Sequence, residues 1–138
     1  MNEAGVTFHE IDKVDDSLLK YAVIVSRYKG KWIFCKNKAR GWELPGGHRN
    51  EGEAIIETAR RELFEETGAA KFEIMPVCAY SINSYGLVFF AEIAELGNLP
   101  ESEIEEIGFF DETPVGLSFP LYHPKFLDKV REQLQIII

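Results

Sequence analysis

The run RGWELPGGHRNEGEAIIETARRELFEETGA, residues 40–69, changes character midway. Its first eight positions hold Gly41, Pro45, Gly46 and Gly47, which mark an irregular loop rather than the interior of an element. Over residues 53–67 Pro and Gly are absent, Ala, Ile, Glu, Arg and Leu dominate, and Gly68 stands where a helix C-cap belongs. The spacing predicts a helix there, entered from a glycine-rich loop.

On a wheel of about 100° per residue with Glu62 at zero, Glu66 falls at about +40° and Glu65 at about −60°. Like charges so close repel, which asks for a compensating positive charge. Ile55, Ala59, Leu63 and Ile56 lie between about +20° and +120°, so the apolar stripe adjoins the Glu62/Glu66 edge and sets these acids at the rim of the core. Carboxylates beside a flexible backbone suit Mg²⁺, a hard cation that takes oxygen ligands and often shares them with substrate phosphates. Arg61 has two readings: an i, i+4 surface pair with Glu57, or a brace for a catalytic carboxylate.

Outward from this stretch, residues 20–28 and 32–35 are rich in β-branched and aromatic types and flank Lys29-Gly30-Lys31, which reads as a hairpin. Residues 71–82 and 86–94 form two further strands joined by a turn over Asn83-Ser84-Tyr85-Gly86. An acidic connection follows over 97–104, then a short strand over 106–111. A C-terminal helix opens at Pro124 behind His123 as a cap, with Leu127, Val130, Leu134 and Ile137 as its stripe. Strands before, between and after two helices, with hairpin turns rather than regular βαβ alternation, suggest a mixed sheet in an α+β or α/β sandwich, the α+β class being the one expected. Neither an internal repeat nor a linker divides the chain, so residues 1–138 are expected to form one domain.

The 138 residues carry 15 Lys and Arg against 23 Asp and Glu, a formal charge of −8, which argues against a polynucleotide partner. Apolar residues make up 46%, far from the composition of disordered chains. The longest apolar runs, 21–25 and 87–91, are five residues each, against the roughly 20 of a membrane span. With no basic and apolar leader over the first residues, the expected compartment is the cytoplasm. Cys35 and Cys78 show neither metal spacing nor a redox motif and are expected as reduced core thiols. His9, His48 and His123 are isolated and are not read as catalytic.

Gly47, Glu53 and Arg61-Glu62-Leu63-Phe64-Glu65-Glu66-Thr67-Gly68-Ala69 together resemble the Nudix box, Gly-x5-Glu-x7-Arg-Glu-U-x-Glu-Glu-x-Gly-U, where U is a bulky aliphatic. Ala69 at the last U, a packing position, is the departure. The resemblance implies an αβα sandwich whose loop and helix carry catalysis. It implies Mg²⁺, with Mn²⁺ as a substitute, on Glu62, Glu65 and Glu66 with backbone from Gly46 and Gly47, while Glu53 and Arg61 brace the loop and helix. Members often recruit a later acid, and Glu103 and Glu106 match that spacing best, with an exposed acidic loop as the alternative. The implied reaction is hydrolysis of a nucleoside diphosphate linked to another group.

Six basic residues lie within residues 27–40, where a local positive field could meet polyphosphate: Arg27, Lys29, Lys31, Lys36, Lys38 and Arg40. Lys36 and Lys38 share a strand face by the period of two, with solvated lysines as the alternative. Trp42 either stacks on a base or packs half-buried. The run 40–47 is similar to that of small Nudix enzymes that cleave nucleoside triphosphates, including oxidised purines, to monophosphate and pyrophosphate. ADP-ribose, nucleotide sugars and dinucleoside polyphosphates remain open as substrates, as does a non-catalytic Nudix-fold module. The expected partner is a small nucleotide, with no polynucleotide and no membrane, for a monomer or homodimer.

Overall fold

A computed structural model of the chain describes residues 5–137, with side chains through residue 135. The leader reading over residues 1–4 and the Ile137 side chain lie outside the described residues. The strands are β1 (Thr7–His9), β2 (Leu19–Tyr28), β3 (Lys31–Asn37), β4 (Trp42–Glu43), β5 (Gly46–His48), β6 (Ala69–Ile82), β7 (Ser84–Leu96) and β8 (Ile104–Phe110). The helices are α1 (Ile55–Thr67) and α2 (His123–Ile137).

The strands run β1-β6-β7-β2-β3-β4 across the sheet, with β5 also paired to β2 and β8 to β3. Among the described strand pairs only β2 and β7 run parallel, so the sheet is mixed as expected. Alternation along β2 divides the core: Val23 and Val25 join Phe126, Leu127 and Val130 of α2, while Ala22 and Ile24 join Ile55, Ala59 and Leu63 of α1. One helix on each face gives the αβα sandwich. Leu63 is fully buried, so Leu63→Ala would cost about 2–5 kcal/mol and loosen the helix that carries the acids.

The β2/β3 hairpin turns at Lys29 (φ 51°) and Gly30 (φ 80°), the paired left-handed conformation that matches strand twist. The β6/β7 turn is tighter than expected. It reverses at Asn83 (φ 76°), and Ser84 already pairs with Ile82. Gly86 sits inside β7 opposite Tyr80, whose ring leaves no room for a Cβ; packing rather than turn chemistry asks for that glycine.

α1 begins two residues later than expected. Glu57 turns back to accept the Ala54 N–H at 2.8 Å, capping the helix and leaving Glu53 outside it. Gly68 closes the helix in the left-handed conformation (φ 78°). In α2 the expected stripe is joined by Phe126, 1% exposed. His123 does not cap this helix: its Nδ1 accepts the Leu44 N–H at 3.0 Å, tying α2 to the glycine-rich loop. Cys35 and Cys78 are buried free thiols, and no described helix is long and apolar enough to cross a membrane.

Candidate active site

The glycine-rich loop lies against α1 because its backbone must approach two carboxylates. At Gly47 any Cβ would overlap the Glu62 carboxylate, and at Gly46 it would strike the Ala22 carbonyl 2.6 Å away. The Gly46 N–H donates to Glu66 Oε1 at 2.9 Å. Bare backbone therefore fixes one acid and makes room for the other.

Arg61 completes the brace. Its Nε donates to Glu53 Oε2 at 2.8 Å and its Nη2 to Glu53 Oε1 at 3.0 Å, the paired geometry that a planar guanidinium favours. Nη2 also reaches the His48 carbonyl at 3.1 Å, while Nη1 stands 3.3 Å from Glu65 and 3.5 Å from Glu62. Glu57 is occupied at the helix cap, so the simple surface pair is not formed. Glu53 also accepts from the Asn50 N–H and the Thr58 hydroxyl, and together with Arg61 these bonds hold its carboxyl down at about 2.

Glu62 and Glu66 line a cleft of ≈ 410 Å³ together with Glu43, Glu103, Arg61 and Arg40. Burial, aided by the neighbouring acids, pushes Glu66 up to about 8. Glu62 rises to about 7 through burial and its contact with Glu65, against the pull of Arg61. Arg40, the other cleft cation, is held by Glu43 at 3.0 Å. The cleft thus carries four acids, of which Glu43 is buried and Glu62 and Glu66 half-buried, against two arginines.

That surplus fits a hard divalent cation. Among the described residues no three acidic, histidine or cysteine groups stand gathered at metal-ligand spacing; Glu62 and Glu65 face Arg61, and Glu66 faces Gly46. The donor chemistry nevertheless suits Mg²⁺ or Mn²⁺: carboxylates that burial and mutual repulsion disfavour as bare anions, next to a backbone with carbonyls to offer.

The remaining sequence candidates separate. Glu103 lines the cleft, whereas Glu106 lies opposite Lys36 on the β3/β8 pair and meets it at 3.9 Å. β3 ends at Asn37, so Lys38 lies beyond the strand and does not share a strand face with Lys36. Lys36, Lys38 and Trp42 are not among the residues lining the cleft. The Trp42 ring packs edge-on against Phe110 at 5.1 Å, with the Lys36 ammonium 5.8 Å over it. The basic stretch is largely neutralised: Arg27 meets Glu92 at 2.6 Å, Lys31 meets Asp111 at 2.6 Å and Lys36 meets Glu106, all distant in sequence, while Arg40 meets Glu43 three residues on. Sequence reading missed Glu43, 6% exposed at the cleft, and His123 in its wall; an acid flanked by Trp42 and Leu44 was the available sign of the first.

Residues 17–131 match the family model described as NUDIX domain. A candidate 8-oxo-dGTP diphosphatase of Bacillus subtilis (strain 168), YtkD, is 31% identical over 105 residues, covering 72% of this chain and 66% of that protein. An RNA pyrophosphohydrolase of Bartonella clarridgeiae is 34% identical over 76 residues, covering 45% of this chain and 44% of that one. The crystal structure of a mutant of the Bacillus subtilis pyrophosphohydrolase BsRppH superposes with a TM-score of 0.78 at 26% identity, covering 92% of this chain and 90% of that chain. The chain thus spans about two thirds and under half of the two curated relatives.

Proposed function

This chain belongs to the Nudix family, whose model it matches over residues 17–131, and from that premise we propose that it is a metal-dependent pyrophosphohydrolase of nucleotides. The substrate class we infer is purine nucleoside triphosphates, 8-oxo forms included, cleaved to monophosphate and pyrophosphate. One observation carries the reading: two half-buried carboxylates, Glu62 and Glu66, held against the bare Gly46-Gly47 backbone with too few cations to balance them.

Glu62, Glu65 and Glu66, with a carbonyl of the glycine loop, would hold Mg²⁺, and Glu103 in the cleft is the later acid that joins them. The chemistry such a cation supplies is neutralisation of phosphate oxygens and activation of an attacking water. This chain's own residues do the positioning. The Gly46 N–H orients Glu66, and Glu53 locks Arg61, so that Nη1 stays beside Glu62 and Glu65. Arg61 keeps a positive charge next to the two acids whatever their protonation, limiting their repulsion.

A second reading takes the 5′-triphosphate of an RNA as substrate. The likeness to an RNA pyrophosphohydrolase favours it. The charge of −8 and the neutralised basic stretch count against it, since phosphate backbones are held by unpaired Lys and Arg.

The test is product identification from a panel with Mg²⁺: purine and pyrimidine triphosphates, 8-oxo-dGTP, ADP-ribose, diadenosine polyphosphates and a 5′-triphosphorylated oligoribonucleotide. Monophosphate and pyrophosphate from purine triphosphates at the highest kcat/KM is the expected result. AMP and ribose 5-phosphate from ADP-ribose at much higher kcat/KM would replace this substrate class, and faster release of pyrophosphate from the oligoribonucleotide would favour the second reading.

A further inference from the structure

β8 pairs with β3 alone among the described strands, so its other side is an edge of the sheet. The register tells which of its backbone groups point there. The two-residue turn at Lys29 and Gly30 closes on the Tyr28/Lys31 pair, and such a turn closes on residues that exchange backbone hydrogen bonds. Direction alternates along a strand, so Lys31, Ile33 and Cys35 face β2 and β4, while Trp32, Phe34 and Lys36 face β8. The Asn37 N–H on the Gly41 carbonyl at 2.8 Å and the Lys38 N–H on the Glu103 carbonyl at 2.9 Å continue that alternation. Phe110, Gly108 and Glu106, opposite Trp32, Phe34 and Lys36, therefore turn their backbone groups inward. Ile107 and Phe109 turn theirs outward.

The side chains at those two positions are apolar. Ile107 is half-buried against the α1-side core, and Phe109 is 46% exposed with the Tyr28 ring 5.9 Å away. Edge strands of this kind accept a further strand unless a charge or a proline blocks them. Residues 97–122 hold six acids, Glu101, Glu103, Glu105, Glu106, Asp111 and Glu112, and no Lys, Arg or His. A second copy of β8 meets that charge with its own. The two-fold antiparallel register that sets Ile107 opposite Phe109 puts Glu105 opposite Asp111, and the one that sets Ile107 opposite itself puts Glu103 opposite Asp111.

We propose that the outer edge of β8 is a docking site for an extended, cationic segment of another protein, added to the sheet as a further strand. Backbone hydrogen bonds to Ile107 and Phe109 would hold it, apolar side chains would cover Phe109, and Lys or Arg on either side would face Glu105 and Asp111. The site is independent of the cleft chemistry.

The test is amide hydrogen exchange by NMR, residue by residue, with a short synthetic peptide alternating lysine and valine, blocked at both ends, and with its glutamate counterpart. The lysine peptide should slow exchange at Ile107 and Phe109 by at least about tenfold, leave Gly108 and Phe110 within about twofold, and the glutamate peptide should do neither. Phe109→Pro removes an outward N–H that the β3 ladder does not use, so it should fold and bind the lysine peptide at least about tenfold more weakly. Exchange in the wild-type chain decides the matter alone should that variant not fold. Unchanged exchange at Ile107 and Phe109 with the lysine peptide, or equal slowing by the glutamate peptide, would overturn the proposal. So would protection of these two amides that grows with protein concentration in the absence of peptide, which would give the edge to a second copy.

Discussion

Arg61 and Glu53 meet through two hydrogen bonds, 2.8 and 3.0 Å, although Glu53 lies outside the helix that carries Arg61. That grip fixes the loop to α1 and aims the remaining nitrogen, Nη1, at Glu62 and Glu65. Lysine keeps the charge but cannot form the fork. Arg61→Lys should therefore lower kcat by about 10–100-fold, the usual effect of disturbing groups that orient metal ligands. Steady-state kinetics at saturating Mg²⁺ would decide it; near wild-type turnover would mean the charge alone suffices.

The raised acids make the metal-free chain sensitive to alkali. Glu66 sits at about 8 when folded and at 4.5 when exposed, so between those values unfolding releases its proton. The contribution is fully present below about 4.5 and is lost as pH rises through about 8. Glu66→Gln carries no such proton, so thermal melts in EDTA should show a smaller drop in Tm from pH 5 to pH 8 than in wild type. Added Mg²⁺ at pH 8 should then raise the wild-type Tm more than the variant's, since a ligand of the folded state stabilises it.

His123 gives the opposite dependence. Burial pulls its imidazole down to about 3 from 6.5, so the unfolded chain binds a proton that the folded one refuses. That stability is present above pH 6.5 and is lost as pH falls toward about 3. His123→Asn should flatten the decline in Tm between pH 7 and pH 4, at a cost of about 1–3 kcal/mol at pH 7 if the Leu44 N–H is left unpaired. An unchanged acid-side slope would show that other groups dominate it.

Trp42→Ala should lower stability by about 1–3 kcal/mol, less than the loss of a fully buried ring, because the indole is half-buried against Phe110. Trp42→Phe should keep most of it. Direct stacking on substrate would instead raise KM in the alanine variant with little change in urea midpoint.

The acids were legible because their spacing is local: Arg61, Glu62, Glu65 and Glu66 lie on adjacent turns of one helix, where a wheel places them without tertiary knowledge. The sandwich followed from strands interrupted by two amphipathic helices. What stayed hidden depends on chain segments far apart. The cation-rich stretch over 27–40 looks like a phosphate patch until β7 and β8 bring Glu92, Glu106 and Asp111 beside it, 65 to 80 residues away. A second cavity of ≈ 260 Å³ beside the cleft joins Tyr21, Tyr85 and Phe119 from three separate segments, so no window of sequence displays it. For Trp42 the structure shows the packing alternative: its position beside the glycine loop is local, but its neighbour Phe110 arrives from β8.

The Glu62/Glu66 cleft should cleave a nucleotide anhydride with a divalent cation. The direct measurement is turnover of GTP and 8-oxo-dGTP by wild type and Glu66→Gln, with Mg²⁺ and with excess EDTA, following pyrophosphate release. Cleavage that vanishes with the chelator, and that falls by orders of magnitude in a folded Glu66→Gln variant, is the predicted result. Full turnover in EDTA, or an unimpaired Glu66→Gln, would contradict it.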